Sequence, residues 1–207
     1  MSNRVLVLEF NELTPHLVDR FIAAGHLPNF KRLRDESVVC ISDAEEDPPT
    51  LEPWIQWVTV HTGLTYSQHK IFNLGDAGKL DAPRVWDVLA DQGKKSWICG
   101  SMNASVATRN KDNVLFLPDP WSTNVKPNPE EKFRPYFEFV RRNVQEYTRE
   151  KVPLSRSDYI DFVRFMVTNG LSPRTMYETA KQLVTERFKK VHWRRAAGAA
   201  ARERGEE

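Results

Sequence analysis

Apolar residues follow two rhythms along this chain, and the change between them divides it. Residues 4–10, RVLVLEF, form a short and nearly continuous apolar run, which predicts a strand buried on both faces of a parallel sheet. From Pro15 the pattern turns helical. Leu17, Val18, Phe21 and Ile22 fall on one helix face, and Gly25 is placed to end it. LPNFKRLRDE predicts a second short helix, and residues 37–42, SVVCIS, a second strand. An acidic loop, DAEEDPPTLEP, leads into a Trp-rich helix, PWIQWVTVH, closed by Gly63. Pro83 opens a further helix through Leu89 that ends at Gly93. Lys95 to Cys99 is a third strand, and Val114 to Leu117 a fourth. Strands alternating with helices over short connections predict an α/β fold, a parallel sheet flanked by helices with right-handed crossovers, over residues 1–121.

After Trp121 the strand rhythm stops. STNVKPNPEEK reads as a linker into an apolar helical face made of Phe133, Tyr136, Phe137, Val140, Val144 and Tyr147. Two more helical segments are expected, one through Tyr159–Val167 and one through Met176, Ala180, Leu183, Val184 and Phe188. Residues 122–190 are therefore expected to be a helical insertion or cap on the core. Residues 191–207 are rich in Ala, Arg and Glu and are expected to be a disordered or non-native tail.

Composition narrows the function classes. Of the 207 residues, 40% are hydrophobic and 28% charged, as in ordinary globular proteins. The net charge of +2, without a basic stripe carrying interleaved aromatics before residue 185, argues against a nucleic-acid partner. No apolar run approaches the roughly 20 residues of a membrane span. Glu9 and Glu12 end the N-terminal apolar run without a small-residue cleavage site, which argues against a signal peptide. Cys40 and Cys99 each sit in an apolar β-like run and are expected to be buried free thiols, in keeping with a reducing, cytoplasmic setting.

Ligands of parallel α/β sheets gather at the carboxyl ends of the strands. Three loops qualify: residues 9–12, the acidic loop 43–50, and Gly100-Ser101-Met102-Asn103. The first two are rich in oxygen atoms of the kind that hard and borderline cations accept. Thr50 lies just ahead of the helix opened by Pro53. Capping that helix is its bland role. A hydroxyl there also sits beside unpaired N–H groups and the positive end of the helix dipole, where a phosphoryl oxygen is stabilised. The tryptophans at 54, 57, 86 and 97 read as core. Trp121, in the loop PDPW, is the aromatic placed for substrate contact.

In order along the chain come Asn11 with Pro15, Leu27-Pro28-Asn29-Phe30, Thr50 with Glu52-Pro53, and Thr62-Gly63-Leu64 with His69. This series over residues 4–100 resembles the type I phosphodiesterase / nucleotide pyrophosphatase branch of the alkaline phosphatase superfamily. The resemblance implies a metal-dependent phosphoric-ester hydrolase or transferase. Asn11 stands at the position of the first metal-binding aspartate, with Glu9 as a second metal candidate. Thr50 is the nearest candidate for the covalent nucleophile, and His69 is structural; Asn103 matches no motif of the family, and it and Trp121 are assigned to the substrate side by their loop positions alone. The implied metal is divalent, zinc first, with manganese or magnesium as alternatives. The implied substrate is a small phosphoester or a glycan- or lipid-linked phosphate. The chain departs from the family in having neutral Asn11 for Asp, and Pro53 where the usual interval before Thr62-Gly63 places the nucleophile. It also has no Asp-His-Gly motif after residue 121. The expectation is therefore a truncated unit with weak metal binding, little activity, and self-association through the late helices. The alternative is a non-catalytic relative serving as a binding or scaffold module. A Rossmann-type nucleotide site is disfavoured because no glycine-rich turn follows the first strand.

Overall fold

The computed structural model describes residues 4–122, 124–145, 153–182 and 184–186. They divide into two compact units, residues 1–152 and 153–207.

In the first unit, three helices start on a proline: α1 (Pro15–Ala23), α2 (Pro28–Asp35) and α3 (Pro53–Thr62). Proline suits a first helical turn because its missing N–H would have no partner there. Gly25, at φ +77°, stops α1 in the left-handed conformation, with His26 N–H donating back to the Phe21 carbonyl at 2.9 Å. Gly63 ends α3 in the same conformation. A single turn, α4 (Tyr66–His69), follows, then α5 (Val85–Asp91). α5 starts two residues after Pro83 because the Asp87 carboxylate accepts the Arg84 N–H at 3.0 Å and fixes the boundary there.

The sheet has two parallel strands, β1 (Ser96–Cys99) and β2 (Val114–Leu117), registered Ser96 to Val114 through Cys99 to Leu117. Residues 100–113 connect them and end in a 3₁₀ helix at Thr108–Asn113. The outer edge of β2 is closed by Asn128, which exchanges two backbone hydrogen bonds of 2.8 Å with Phe116. α6 (Glu130–Gln145) buries Phe133 and Phe137, the apolar face expected from the sequence; Tyr147 of that face lies outside the described residues. The core gathers Trp86 and Ala90 of α5 with Ile98 of β1, Ala104, and Val114 and Phe116 of β2.

The sequence pattern overstates the sheet. Residues 4–10 and 38–42 lie outside any strand, and Val5, Leu6, Val38 and Ile41 are more than four-fifths exposed. A strand buried on both faces needs paired neighbours and two covering layers, and no described element supplies them there. β1 itself is fully covered on one face only. Ile98 points inward, while Trp97 and Cys99 point out, the period-2 alternation of a one-sided strand. This corrects two expectations. Trp97 is stacked on Phe133 but half exposed, and both cysteines, though free, are exposed.

In the second unit, α7 (Arg156–Thr168) starts in a capping box. Ser155 Oγ accepts the Asp158 N–H at 3.2 Å, and Asp158 accepts the Ser155 N–H at 2.7 Å. Residues 173–182 are helical, as expected around Met176 and Ala180; Leu183, Phe188 and the 191–207 tail lie outside the described residues. Among the described residues, no helix is long and apolar enough to cross a membrane.

One buried ion pair holds α5 to the loops beside it. Asp87 is fully buried and Arg84 nearly so. The guanidinium donates to Asp87 at 3.3 Å, to the Ala77 carbonyl at 2.7 Å and to Ser105 Oγ. Burial pushes the Arg84 pKa below its ordinary value, against the pull of Asp87. Asp87→Ala leaves that cation buried beside neutral groups, which costs about 3–5 kcal/mol. The urea midpoint should fall accordingly at pH 7, while Asp91→Ala at the exposed Arg109 pair should leave it nearly unchanged.

Candidate functional site

The loops after β1 and β2 meet over Asn103. This residue is 1% exposed and left-handed at φ +51°, a conformation that asparagine tolerates better than most side chains. Its Oδ1 accepts the N–H groups of Gly75 at 2.9 Å and Ala77 at 3.2 Å. Its Nδ2 donates to the carbonyls of Trp54 at 2.9 Å and Asn73 at 3.3 Å. Its own N–H reaches Asp119 Oδ2 at 3.2 Å. Asp119, also buried, accepts the N–H groups of Trp121 at 2.9 Å and Ser122 at 3.0 Å. Trp121 projects from this loop, 57% exposed. The polar capacity of the Asn103 side chain is thus taken up by backbone.

Thr50 belongs to a second cluster. Its hydroxyl lies 2.8 Å from Glu46 Oε2 and 2.7 Å from the Asp47 carbonyl. Glu46 Oε1 is held by the Tyr66 N–H at 3.1 Å, and Gln56 Nε2 donates to the Thr50 carbonyl at 3.0 Å. The acidic loop is thereby fastened to α3 and to the start of α4. Nearby His69 is buried, with Nδ1 accepting the Ile71 N–H at 3.0 Å and Nε2 3.2 Å from Thr59 Oγ1. Burial lowers its pKa, against the charge of Glu46.

Glu9 lies in a third cluster. Its Oε2 accepts from Ser101 Oγ at 2.6 Å, its Oε1 is 3.2 Å from His61 Nε2, and Ser101 Oγ is 2.9 Å from the same nitrogen. One proton assignment satisfies all three contacts: Nε2–H is shared between Glu9 and Ser101, and the hydroxyl donates to Glu9. His61 therefore presents a single nitrogen to both partners, unlike a catalytic triad, whose histidine bridges base and nucleophile through two. Burial alone would raise the Glu9 carboxyl. The hydrogen bonds from His61 and Ser101 and the His61 charge outweigh it, so the carboxyl sits below its ordinary value.

Asn11 borders that cluster without joining it, its Oδ1 accepting the Nε1–H of Trp57, which stacks on His61, at 3.1 Å. Glu9, Asn11 and Thr50 thus have separate hydrogen-bond partners, and none of these bonds links one to another. As a set they do not fit a metal centre, since the oxygens of Glu9 and Asn11 already accept protein donors. Among the described residues no three His, Cys, Asp or Glu side chains gather around a common point. Sequence reasoning passed over Glu46, His61 and Ser101. The signals were there: Glu46 and Ser101 lie in two of the loops singled out at strand ends, and His61 falls four residues after Trp57 on α3. No protein-family model, curated protein or solved structure matches the chain.

Two outcomes follow. Asn103→Ala strands two buried N–H groups and two carbonyls, so it should destabilise the first unit by about 3 kcal/mol or more in urea unfolding. A change under about 1 kcal/mol would mean that these bonds are replaced by water. Acid should destabilise the fold in two stages. His69, depressed when folded, takes up its proton in the unfolded chain first, so stability falls as pH drops below 6.5. Glu9, also depressed, contributes stability that is complete above 4.5 and lost as pH falls through its lower folded value. Stability measured from pH 7.5 to 3 should lose the first stage in His69→Gln and the second in Glu9→Gln.

Proposed function

We propose that the chain is a phosphoric-ester hydrolase or transferase of the alkaline phosphatase superfamily, with Thr50 as nucleophile. The observation that carries this reading is the 2.8 Å hydrogen bond between Thr50 Oγ and Glu46, a carboxylate itself oriented by a backbone N–H. A nucleophilic hydroxyl needs a base within hydrogen-bond reach. Thr50 Oγ attacks phosphorus as its proton passes to Glu46, and the P–O bond to the leaving group breaks, its oxygen taking a proton from Glu46 or solvent. Water or an acceptor alcohol then cleaves the phosphothreonine. The start of α3 lies three residues on, and the positive end of a helix dipole favours negative charge on phosphoryl oxygens placed beside it. The order of motifs around Thr50 and Thr62-Gly63 supports the same class, with a small phosphoester or a glycan- or lipid-linked phosphate as substrate. The resemblance also implies a divalent metal. The chemistry such an ion supplies, polarisation of phosphoryl oxygens, is not assigned to Asn11 and Glu9, whose oxygens are engaged as described above.

One observation favours a second reading, a non-catalytic phosphoester-binding module. Asn11 is neutral where the family has aspartate, and its side-chain oxygen is tied to Trp57.

Hydrolysis of a nitrophenyl phosphodiester separates the two. In the catalytic reading Thr50→Ala lowers turnover by about a thousandfold and Glu46→Gln by about a hundredfold or more, both with unchanged circular dichroism. Saturable phosphoester binding without turnover, insensitive to Thr50→Ala, is the outcome of the second reading. Turnover that survives Thr50→Ala overturns the assignment of the nucleophile.

A further inference from the structure

We propose that a cleft of about 620 Å³ in the first unit binds a neutral polyhydroxylated ligand, a sugar unit or a short oligosaccharide. Its walls are the 75–79 turn, residues 105–106 of the loop after β1, residues 111–112 of the 3₁₀ helix, and the 124–131 segment that leads into α6. The volume lies within the roughly 300–1,000 Å³ typical of small-molecule sites. The site is independent of the chemistry proposed for Thr50.

The walls are held from behind. Gly75 and Ala77 hang on the Asn103 amide, and Ser105 is buried against Arg84 and the Ala77 carbonyl. Asn128 exchanges backbone hydrogen bonds with Phe116, and its Nδ2 donates to the Lys111 and Val114 carbonyls, both at 2.6 Å. That orientation leaves Asn128 Oδ1 as an acceptor. Gly75, at φ +86°, makes room for the Asn124 carboxamide, because a Cβ there would stand 2.6 Å from Asn124 Oδ1. Walls built in this way lower the ordering cost of binding.

The lining chemistry selects the class of ligand. Lys79, Lys111 and Lys126 are balanced by Asp112, Glu130 and Glu131, so the wall carries no net charge to favour an ion of either sign. Lys79 pairs with Asp76 at 2.9 Å and Lys126 with Glu130 at 3.1 Å. Among the described residues, the side chains of Lys111, Asp112, Asn124 and Glu131 have no hydrogen-bond or ion-pair partner. They offer an ammonium donor, two carboxylate acceptors and an amide that does both. A hydroxyl also gives and accepts, so a ring carrying several hydroxyls matches this mixture. A phosphate would meet the two free carboxylates, and an alkylammonium the free lysine. Val106, Val125, Pro127 and Pro129 supply apolar contact for the C–H faces of a sugar. No aromatic side chain is found among the described lining residues, which argues against a stacked base.

The probes are cellobiose, lactose, maltose and trehalose, each titrated into the full chain and followed by amide chemical shifts. At least one should bind with a Kd of about 1 mM or tighter, with shifts centred on residues 75–79, 105–112 and 124–131. Lys111→Met, Asp112→Asn and Glu131→Gln, all at exposed positions, should each weaken binding by about tenfold with unchanged circular dichroism. Lys31→Met on α2 should leave it unchanged. At Gly78 an added Cβ meets no other atom within 4 Å, so Gly78→Leu should keep the fold, crowd the cleft and weaken binding further than any of the three. Failure of all four sugars to bind up to about 50 mM overturns the proposal. So do shifts centred elsewhere, affinity that survives the three polar substitutions, or tighter binding of inorganic phosphate at the same residues.

Discussion

The candidate sites of the first unit are held in place by the side-chain amide of Asn103. Five hydrogen bonds converge on this one residue, joining the head of α3, the 73–77 turn, the end of β1 and the loop after β2. A two-stranded sheet is too small to fix the loops at its carboxyl end by strand geometry alone. Here a buried polar network does so, and such a network specifies one arrangement only when every member is satisfied. Arg84 plays the corresponding part on the other side of Ser105, gathering the 77–80 turn and α5 around one guanidinium. The apolar core of Trp86, Ile98, Val114 and Phe116 lies alongside these hubs and supplies bulk stabilisation.

With the loops fixed, the polar side chains sort into two chemical environments. Thr50 and Glu46 form a hydroxyl–carboxylate pair within a strongly acidic loop, the pair that the proposed reaction would use as nucleophile and base. Glu9, His61 and Ser101 form a closed ring in which the donors and acceptors satisfy one another. The family resemblance joins Glu9 and Thr50 in one centre. Their hydrogen bonds divide them: Ser101 and His61 engage the Glu9 carboxylate, and Glu46 engages the Thr50 hydroxyl.

Much of the helical part of the fold was legible. Pro15, Pro28 and Pro53 mark starts, and Gly25 and Gly63 mark ends, because each acts through its own backbone and depends little on the rest of the chain. Strand identity was legible only where tertiary pairing agreed with the local pattern. WIC and VLFL pair, whereas RVLVLEF and SVVCIS carry the same apolar signal and remain outside the sheet, since strands depend on neighbours that a local pattern does not name. Among site residues, Asn103 stands in a loop after a strand that the sequence marked for substrate, but its side chain is engaged by backbone, a structural role that follows from a burial the sequence does not reveal. His61 was overlooked inside an apolar helix, where its one polar nitrogen had no visible partner. Its partners are 52 and 40 residues away.

The two indoles that clamp His61 carry a consequence of another kind. Trp57 and Trp86 lie with ring centroids 6.0 and 4.8 Å from the imidazole, so any change in its charge or hydrogen bonding alters the emission of both and the ring-current shift of the imidazole protons. The cluster is its own spectroscopic reporter, and its state can be followed by light or by magnetic resonance without attaching a label.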